Sequence, residues 1–400
     1  MSGETELRLV VIISDAVRGH VNQSRGVASW LSKRTGAEVM ELEIPHLKGI
    51  RRYKARKGAA KLAGCDRKAA LEWTAAAGGE GAAEALGLRL LERGIREGDE
   101  SSVIFISAGS MPACYNLAFA RIHRCPCVTI MTPGVIGTEP FDFAIVPEHD
   151  YPREAPNVMA TVGAPNLISP EELELLGKSL LLKYPPEHGR KWGVLIGGSD
   201  KNYKVTASWI YKIVGEIFRS AKRGGADIYV TTSRRTPPEA EDALKRMAAA
   251  RENCENVRFM LIASADPSNP VPAILGACDE IFVTEDSVNM VSETVTSGHR
   301  AVLLRTERAG VIKKMLQSAT SIMVSLGLLP PRALWGTPRF DLAFESFRNM
   351  GLLIDFSDWL KERRNGDAAP VCRLNDERGC DGFNEARRAA NWILGKLQKH

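Results

Sequence analysis

The chain has 400 residues, more than one hydrophobic core usually serves, so two domains are expected. Hydrophobic residues at 44% and charged residues at 25% are ordinary globular values and exclude disordered and fibrous classes. The net charge is +5, no apolar run approaches the ~18 residues of a spanning helix, and Met1–Glu6 is polar and acidic where a signal peptide would be basic, so the expected compartment is the cytoplasm.

In chain order, Leu7–Asp15 (LRLVVIISD) reads as a buried parallel strand. A turn over Ala16–His20 follows, then an amphipathic helix through Ser24, Val27, Ala28 and Leu31. AEVMELEI is a second strand, residues 67–98 are Ala-rich and helical, and Val103–Gly109 is a third strand with a helix through Ala120 behind it. CVTIM and FDFAIVP are two further strands. Residues 1–168 thus form a first domain, and 169–191, with one short helix and Tyr184-Pro185-Pro186, a connector. A second domain, 192–382, repeats the pattern: KWGVLIGGSD, a helix over Val205–Ser220, DIYVTTS, a helix over Pro237–Ala249, then VRFMLIA, EIFVTED and RAVLLRT. The stretch from Ala309 to Arg364 is mixed, and 383–400 holds a last amphipathic helix over Asn384–Gln398. Strands alternating with helices imply parallel sheets, so the expected fold is α/β, two Rossmann-like domains facing across a cleft.

The eight cysteines are scattered. Cys114 and Cys278 sit among apolar residues and read as small hydrophobes. Neither Cys125 with Cys127 nor Cys372 with Cys380 has two more ligands at a recognised spacing, so no metal site is expected. The basic charge is concentrated in one segment. Lys48–Lys61 carries seven cations, among them Arg51, Arg52, Lys54, Arg56 and Lys57, and no acid lies between Glu43 and Asp66. Either this is a solvated loop and helix start, or, with Leu47, Ile50 and Tyr53, it docks on an anionic membrane surface. No aromatic stripe accompanies it, so nucleic acid is not expected as a partner. Tyr53 and Lys57 fit the Y-x-x-x-K of short-chain dehydrogenases, but they precede most of the sheet and no G-x-G-x-x-G follows the first strand, so the match is taken as chance.

Ligands of open parallel sheets bind beyond the carboxyl ends of the strands, so the loops there hold the candidates. In SDAVRGHVNQSRG, His20 follows Gly19 just before a helix, and is either a general base or a residue that merely bonds the turn. In IGGSDKNY, Gly197 and Gly198 admit close approach by a phosphate, with Ser199 and Lys201 as donors, or serve turn geometry alone. In TTSRRTPPE, Arg234 and Arg235 leave a strand beside Ser233 and either pair with phosphate oxygens or point into solvent. In TEDSVNMVSE, Asp286 or Ser287 caps a helix on which Glu293, two turns further, could accept from ribose hydroxyls.

Together, SDAVRGHVNQSRGVA, VLIGGSDKNY, VTTSRRTP and VTEDSVNMVSE resemble the mitochondrial-fission ELM family over roughly residues 7–305, least after Arg308. Plant members of that family act in mitochondrial division, and bacterial members carry the label nucleoside-diphosphate-sugar epimerase. The family is similar to GT-B glycosyltransferases, which have two Rossmann-like domains and need no bound metal. The resemblance implies that Gly197, Gly198 and Ser199 hold the donor diphosphate and Glu293 the ribose. It also implies that Gly19 and His20 lie on the acceptor side, with Asn22, Gln23 and Ser110 near them. Glu285 and Glu293 have the E-x7-E spacing of some retaining GT-B enzymes. The expected function is transfer of a sugar from a nucleotide-sugar donor, a substrate and not a cofactor, to a cell-envelope lipid or polysaccharide. A membrane-associated adaptor without catalysis is the first alternative and a nucleotide-sugar epimerase the second.

Overall fold

The computed structural model describes residues 7–251, 253, 255–308, 310–364 and 382–398. Two compact units divide them, one with the residues up to Leu167 and from Asn384 on, the other with Ile168–Phe383.

The first unit holds a six-stranded parallel sheet of β1 (Leu9–Ser14), β2 (Glu38–Glu43), β3 (Val103–Ala108), β4 (Cys127–Ile130), β5 (Phe143–Pro147) and β6 (Val158–Thr161), in the order β2-β1-β3-β4-β5-β6. Every residue of β1 and β3 is buried, as continuous apolar runs covered on both faces must be. Helices α1 (Arg18–Thr35), α2 (Gly49–Ala59), α3 (Arg67–Ala76), α4 (Glu80–Glu92) and α5 (Ser110–His123) follow the strands. α1 ends on Gly36, whose φ of +77° favours a residue without a Cβ.

The second unit opens with α6 (Pro170–Lys183), started by Ser169, which accepts from the Glu172 N–H, and by Pro170 at the first turn. Its six-stranded sheet joins β7 (Arg190–Leu195), β9 (Ala226–Thr231), β10 (Val257–Leu261), β11 (Glu280–Thr284), β12 (Ala301–Leu304) and β14 (Leu353–Asp355) in the order β10-β9-β7-β11-β12-β14, all parallel. A small antiparallel pair joins β8 (Tyr203–Lys204) to β13 (Glu307–Arg308). Helix α7 runs over 207–224 with a π-helical turn at Ile210–Val214. It is followed by α8 (Pro238–Ala249), α9 (Val271–Ala277), α10 (Val288–Thr296), α11 (Val311–Ser325), α12 (Thr337–Asn349) and α13 (Phe356–Arg364).

Two segments differ from the sequence expectation. Residues 169–191 are not a free connector. α6 packs on α9 where Gly177 meets Gly276, so closely that a Cβ on either would strike the other helix's backbone, and Arg190 and Lys191 already belong to β7. The final helix, α14 (Glu385–Leu397), returns to the first unit. Ala386, Ala389, Ala390 and Ile393 join the core of β1 and β3, and Trp392 meets Phe143 edge to face at 5.6 Å. The mixed stretch from Ala309 to Arg364 supplies α11, α12, β14 and α13, of which β14 extends the sheet. Cys372 and Cys380 lie outside the described residues.

Candidate active site

In each sheet the strand order reverses direction once: between β1 and β3 in the first, and between β7 and β11 in the second. Such switch points leave a crevice at the carboxyl ends of the strands, and the candidate loops leave those strands.

At the first switch point the chain turns sharply after Ser14. Ala16 takes a φ of +57°, a conformation uncommon for a residue with a side chain. The turn points Asp15 back at the helix start, where its Oδ1 accepts from the Val17 N–H (3.2 Å) and both its oxygens lie 3.0–3.1 Å from His20 Nδ1. Among the described residues Nε2 has no hydrogen-bond partner, and the ring keeps 28% of its surface exposed. Burial alone would raise the Asp15 carboxyl. The hydrogen bond and charge of His20, with the Val17 N–H, outweigh burial and hold it below the usual value. The imidazole lies against Gly109, the residue after β3, where φ is +91° and an added Cβ would stand 2.6 Å from His20 Cε1. Asp15 was not among the sequence candidates. Its signal was its place in the same loop, five residues before His20.

Gly19 and Asn22 lie half-buried on α1 near His20, and Ser110, half-buried, opens α5 after Gly109. Gln23 is 6% exposed and turned into the packed face of α1, which removes it from the acceptor set. Arg56, expected on the basic docking face, instead brings its guanidinium against Gly134, close to the Ser110 side chain. That places it at the carboxyl edge, among the loops after β3 and β4. Arg51, Arg52, Lys54 and Lys57 remain exposed on α2, with Ile50 and Tyr53 exposed beside them.

At the second switch point the loops close on each other. Gly197 N–H donates to Thr284 Oγ1 (2.7 Å), Gly198 N–H to Asp286 Oδ2 (2.9 Å), and Ser199 N–H to the Arg235 carbonyl (3.1 Å). Arg235 Nη2 pairs with Asp286 Oδ2 at 2.8 Å, and Thr236 Oγ1 donates to the Gly197 carbonyl. A Cβ on Gly197 would clash with the Asp286 carboxyl, and one on Gly198 with the Arg235 backbone. These glycines are therefore required by loop-to-loop packing. The Asp286 side chain is fully buried, and burial pushes its carboxyl up despite Thr284, Gly198 and Arg235.

Several donor-side expectations are corrected by this geometry. Asp286 is sealed and closes the loop instead of meeting a ligand. Glu285, also fully buried, accepts from the Thr306 N–H (2.8 Å), Arg305 Nη1 (2.8 Å) and Arg308 Nη2 (3.4 Å), so its carboxylate is engaged within the fold and not turned to a donor. Arg305 is itself held protonated: burial opposes its charge, but Glu285, Asp355 and Asp341 outweigh burial and raise its pKa. Ser287 caps α10 by accepting from the Met290 N–H. Glu293 lies half-buried on that helix. Ser233 Oγ accepts from the Arg235 N–H, and Lys201 is exposed with its carbonyl taken by Lys313. Arg234 is exposed, and among the described residues it forms no hydrogen bond or ion pair. The Lys201 ammonium likewise has no hydrogen bond or ion pair among the described residues. A groove of about 710 Å³ bordered by Lys212, Arg305, Asp355 and Arg364 adjoins the ion-pair network and not the Gly197 turn. A cavity of about 330 Å³ in the first unit, lined by Glu100, His123 and Arg124, lies at the amino ends of β3 and β4, away from His20.

Two parallel six-stranded α/β sheets in this arrangement make a GT-B-like protein. UGT71G1 of Medicago truncatula, solved with UDP-glucose, aligns over 100% of both chains at 10% identity with a TM-score of 0.51. The UDP-GlcNAc 2-epimerase of Methanocaldococcus jannaschii aligns over 98% of this chain and 100% of its own, at 11% identity and a TM-score of 0.51. No curated protein matches by sequence. Residues 18–397 match the model of the mitochondrial fission ELM1 family, and the chain belongs to that family. The match runs through the segment after Arg308 that the sequence motifs left least similar.

Proposed function

We propose that the protein is a glycosyltransferase that moves a sugar from a nucleotide-sugar donor to a lipid or polysaccharide of the cell envelope, on the cytoplasmic face of the membrane. The Asp15–His20 pair carries the reading. An ionised carboxylate on Nδ1 fixes the tautomer in which Nε2 is the basic nitrogen, and the ring, about a quarter exposed, can be reached by a reactant. In the proposed step the acceptor hydroxyl gives its proton to Nε2 as its oxygen bonds to the anomeric carbon. The bond from that carbon to the diphosphate breaks, and the nucleoside diphosphate leaves with the electron pair. Asp15 then balances the imidazolium. On the donor side, Arg234, Ser233 and the positive end of the α10 dipole would meet the diphosphate, and Glu293 the ribose. Arg56 beside Ser110 would meet a phosphate of a lipid-linked acceptor. The exposed cations of α2 would hold the first unit against an anionic bilayer. The step calls on no metal or cofactor.

Two observations favour other readings. An epimerase shares this fold, so the missing dinucleotide fingerprint does not separate transfer from epimerisation. The Gly197, Arg235 and Asp286 contacts are complete without a ligand, so their presence does not count against an adaptor. One experiment separates the three. The protein is incubated with UDP-glucose or UDP-GlcNAc and followed by NMR. Transfer or slow hydrolysis releases UDP, epimerisation changes the sugar without release, and an adaptor does neither and is silent in calorimetry with UDP.

A further inference from the structure

Helix α11 is built inside out for a water-facing surface. Among its described side chains the inward hydrogen bonds come from polar groups. Buried Gln317 accepts from Thr337 Oγ1 at 3.0 Å, and Lys313 Nζ donates to the Lys201 carbonyl (2.9 Å) and Asn202 Oδ1 (2.7 Å) while standing 5.7 Å from the Trp335 ring. Its outward side chains are mostly apolar, with Ser318 and Ser325 among them. Met315, Leu316 and Ile322 on the helix, and Leu326 and Leu328 just after it, are 56–68% exposed, and Trp335 39%. A helix on a soluble surface turns its apolar stripe inward, and a contiguous apolar face left outward marks an interaction site. Charge indicates the partner. Between Glu307 and Asp341 the sequence has no acidic residue and five basic ones; Arg308 pairs with Glu285 and Asp341 and Lys313 is bonded inward, while Arg332 is exposed. Long apolar side chains, a tryptophan at their border and a segment without acidic residues that exposes Arg332 fit the headgroup boundary of an anionic bilayer.

We propose that α11 and the turn after it enter the interface of an anionic membrane and anchor the second unit there. This does not depend on the transferase reading. It differs in kind from the proposed α2 contact, which is mostly charge and should vanish as salt shortens the Debye length to ~3 Å at 1 M.

The test uses the full chain and sedimentation with vesicles of phosphatidylcholine, with or without phosphatidylglycerol, at low and high salt. Binding to the anionic vesicles should keep a salt-resistant part. Ile322→Glu with Leu326→Glu should lower that part at least ~10-fold without moving the melting temperature. The uncharged pair Ile322→Ser with Leu326→Ser should lower it in the same direction by less. Quenching of tryptophan emission by brominated lipid should diminish in Trp335→Phe. Salt-resistant binding equal to wild type in both pairs overturns the proposal. So does a pair that turns an oligomer into a monomer and leaves vesicle binding unchanged, which would assign the face to a second copy of the chain.

Discussion

Asp15 and Asp286 stand beside the switch points of the two units, Asp15 after β1 and Asp286 after β11, the counterpart of β3. Each follows a strand that flanks the switch point of a parallel six-stranded sheet, and each stands just before a helix. Their surroundings differ. Asp15 keeps 15% of its side chain exposed, binds one nitrogen of a histidine and leaves the other without a partner. Asp286 is sealed, with a glycine N–H and an arginine on one oxygen. The first arrangement positions a group that can exchange a proton with something outside the fold. The second joins three loops and presents nothing itself. Glycines, arginines and acidic residues in a loop therefore do not distinguish a ligand site from a self-closing turn; the distribution of hydrogen-bond partners does.

If that contrast is right, the largest effect belongs to His20. His20→Ala should lower transfer by ~10²–10⁴-fold while the melting temperature stays near wild type; a variant that unfolds, or transfers at full rate, would make His20 a structural residue. Gly198→Ala comes next and should act on stability. The added Cβ strikes the Arg235 backbone, so the loss should be ~2–4 kcal/mol by urea titration. A Gly198→Ala protein of normal stability that has lost nucleotide binding would move that turn from structure to ligand contact. Smaller still, Arg234→Ala and Arg235→Ala should diverge. Arg234→Ala should weaken UDP about tenfold, near 1.4 kcal/mol, with no change in melting. Arg235→Ala should cost about 1–2 kcal/mol of stability, because it strands a buried carboxylate but removes a half-exposed partner. Equal affinity losses in the two variants would erase the distinction between the loops.

Much of the fold was legible because buried parallel strands leave continuous apolar runs. LRLVVIISD, VIFISAG and EIFVTED each contain a strand of the structure. The strands that escaped are the edge strands β6 and β14 and the two-residue β8 and β13: VMAT in β6 is only half-buried and the others are too short to leave an apolar run, whereas the four-residue β4 and β12 are buried throughout and were legible. The destination of 169–191 and of α14 was not legible, since an amphipathic helix does not name the surface it covers. At the site, the sequence supplied the loops but not their pairings. Glu285 and Asp286 are adjacent and look alike in TEDSVN, yet one anchors Arg305 and Arg308 and the other closes on Gly198. Arg56 looked like one more cation in a basic run, and only the fold brings it to Gly134 and Ser110.

The smallest effect, and the most direct test of the comparison, is in the pH dependence of stability, because the two carboxyls are shifted in opposite directions from the ordinary value of 3.8. Asp15 is lowered, so the folded state binds its proton more weakly than the unfolded chain does. Its stabilisation is present above the unfolded value and is lost as pH falls through the lower folded value. Asp286 is raised, so the folded state binds its proton more tightly. Its burial starts to oppose folding as pH rises past the unfolded value, reaches full effect above the folded value, and is relieved by acid. Urea midpoints of wild type, Asp15→Asn and Asp286→Asn from about pH 3 to about pH 7 therefore should separate. The advantage of wild type over Asp15→Asn should shrink as the solution is acidified, while its standing against Asp286→Asn should improve. Differences that move in the same direction with pH would mean that the two aspartates share one environment, and the contrast between an open proton-handling pair and a sealed loop junction would fail.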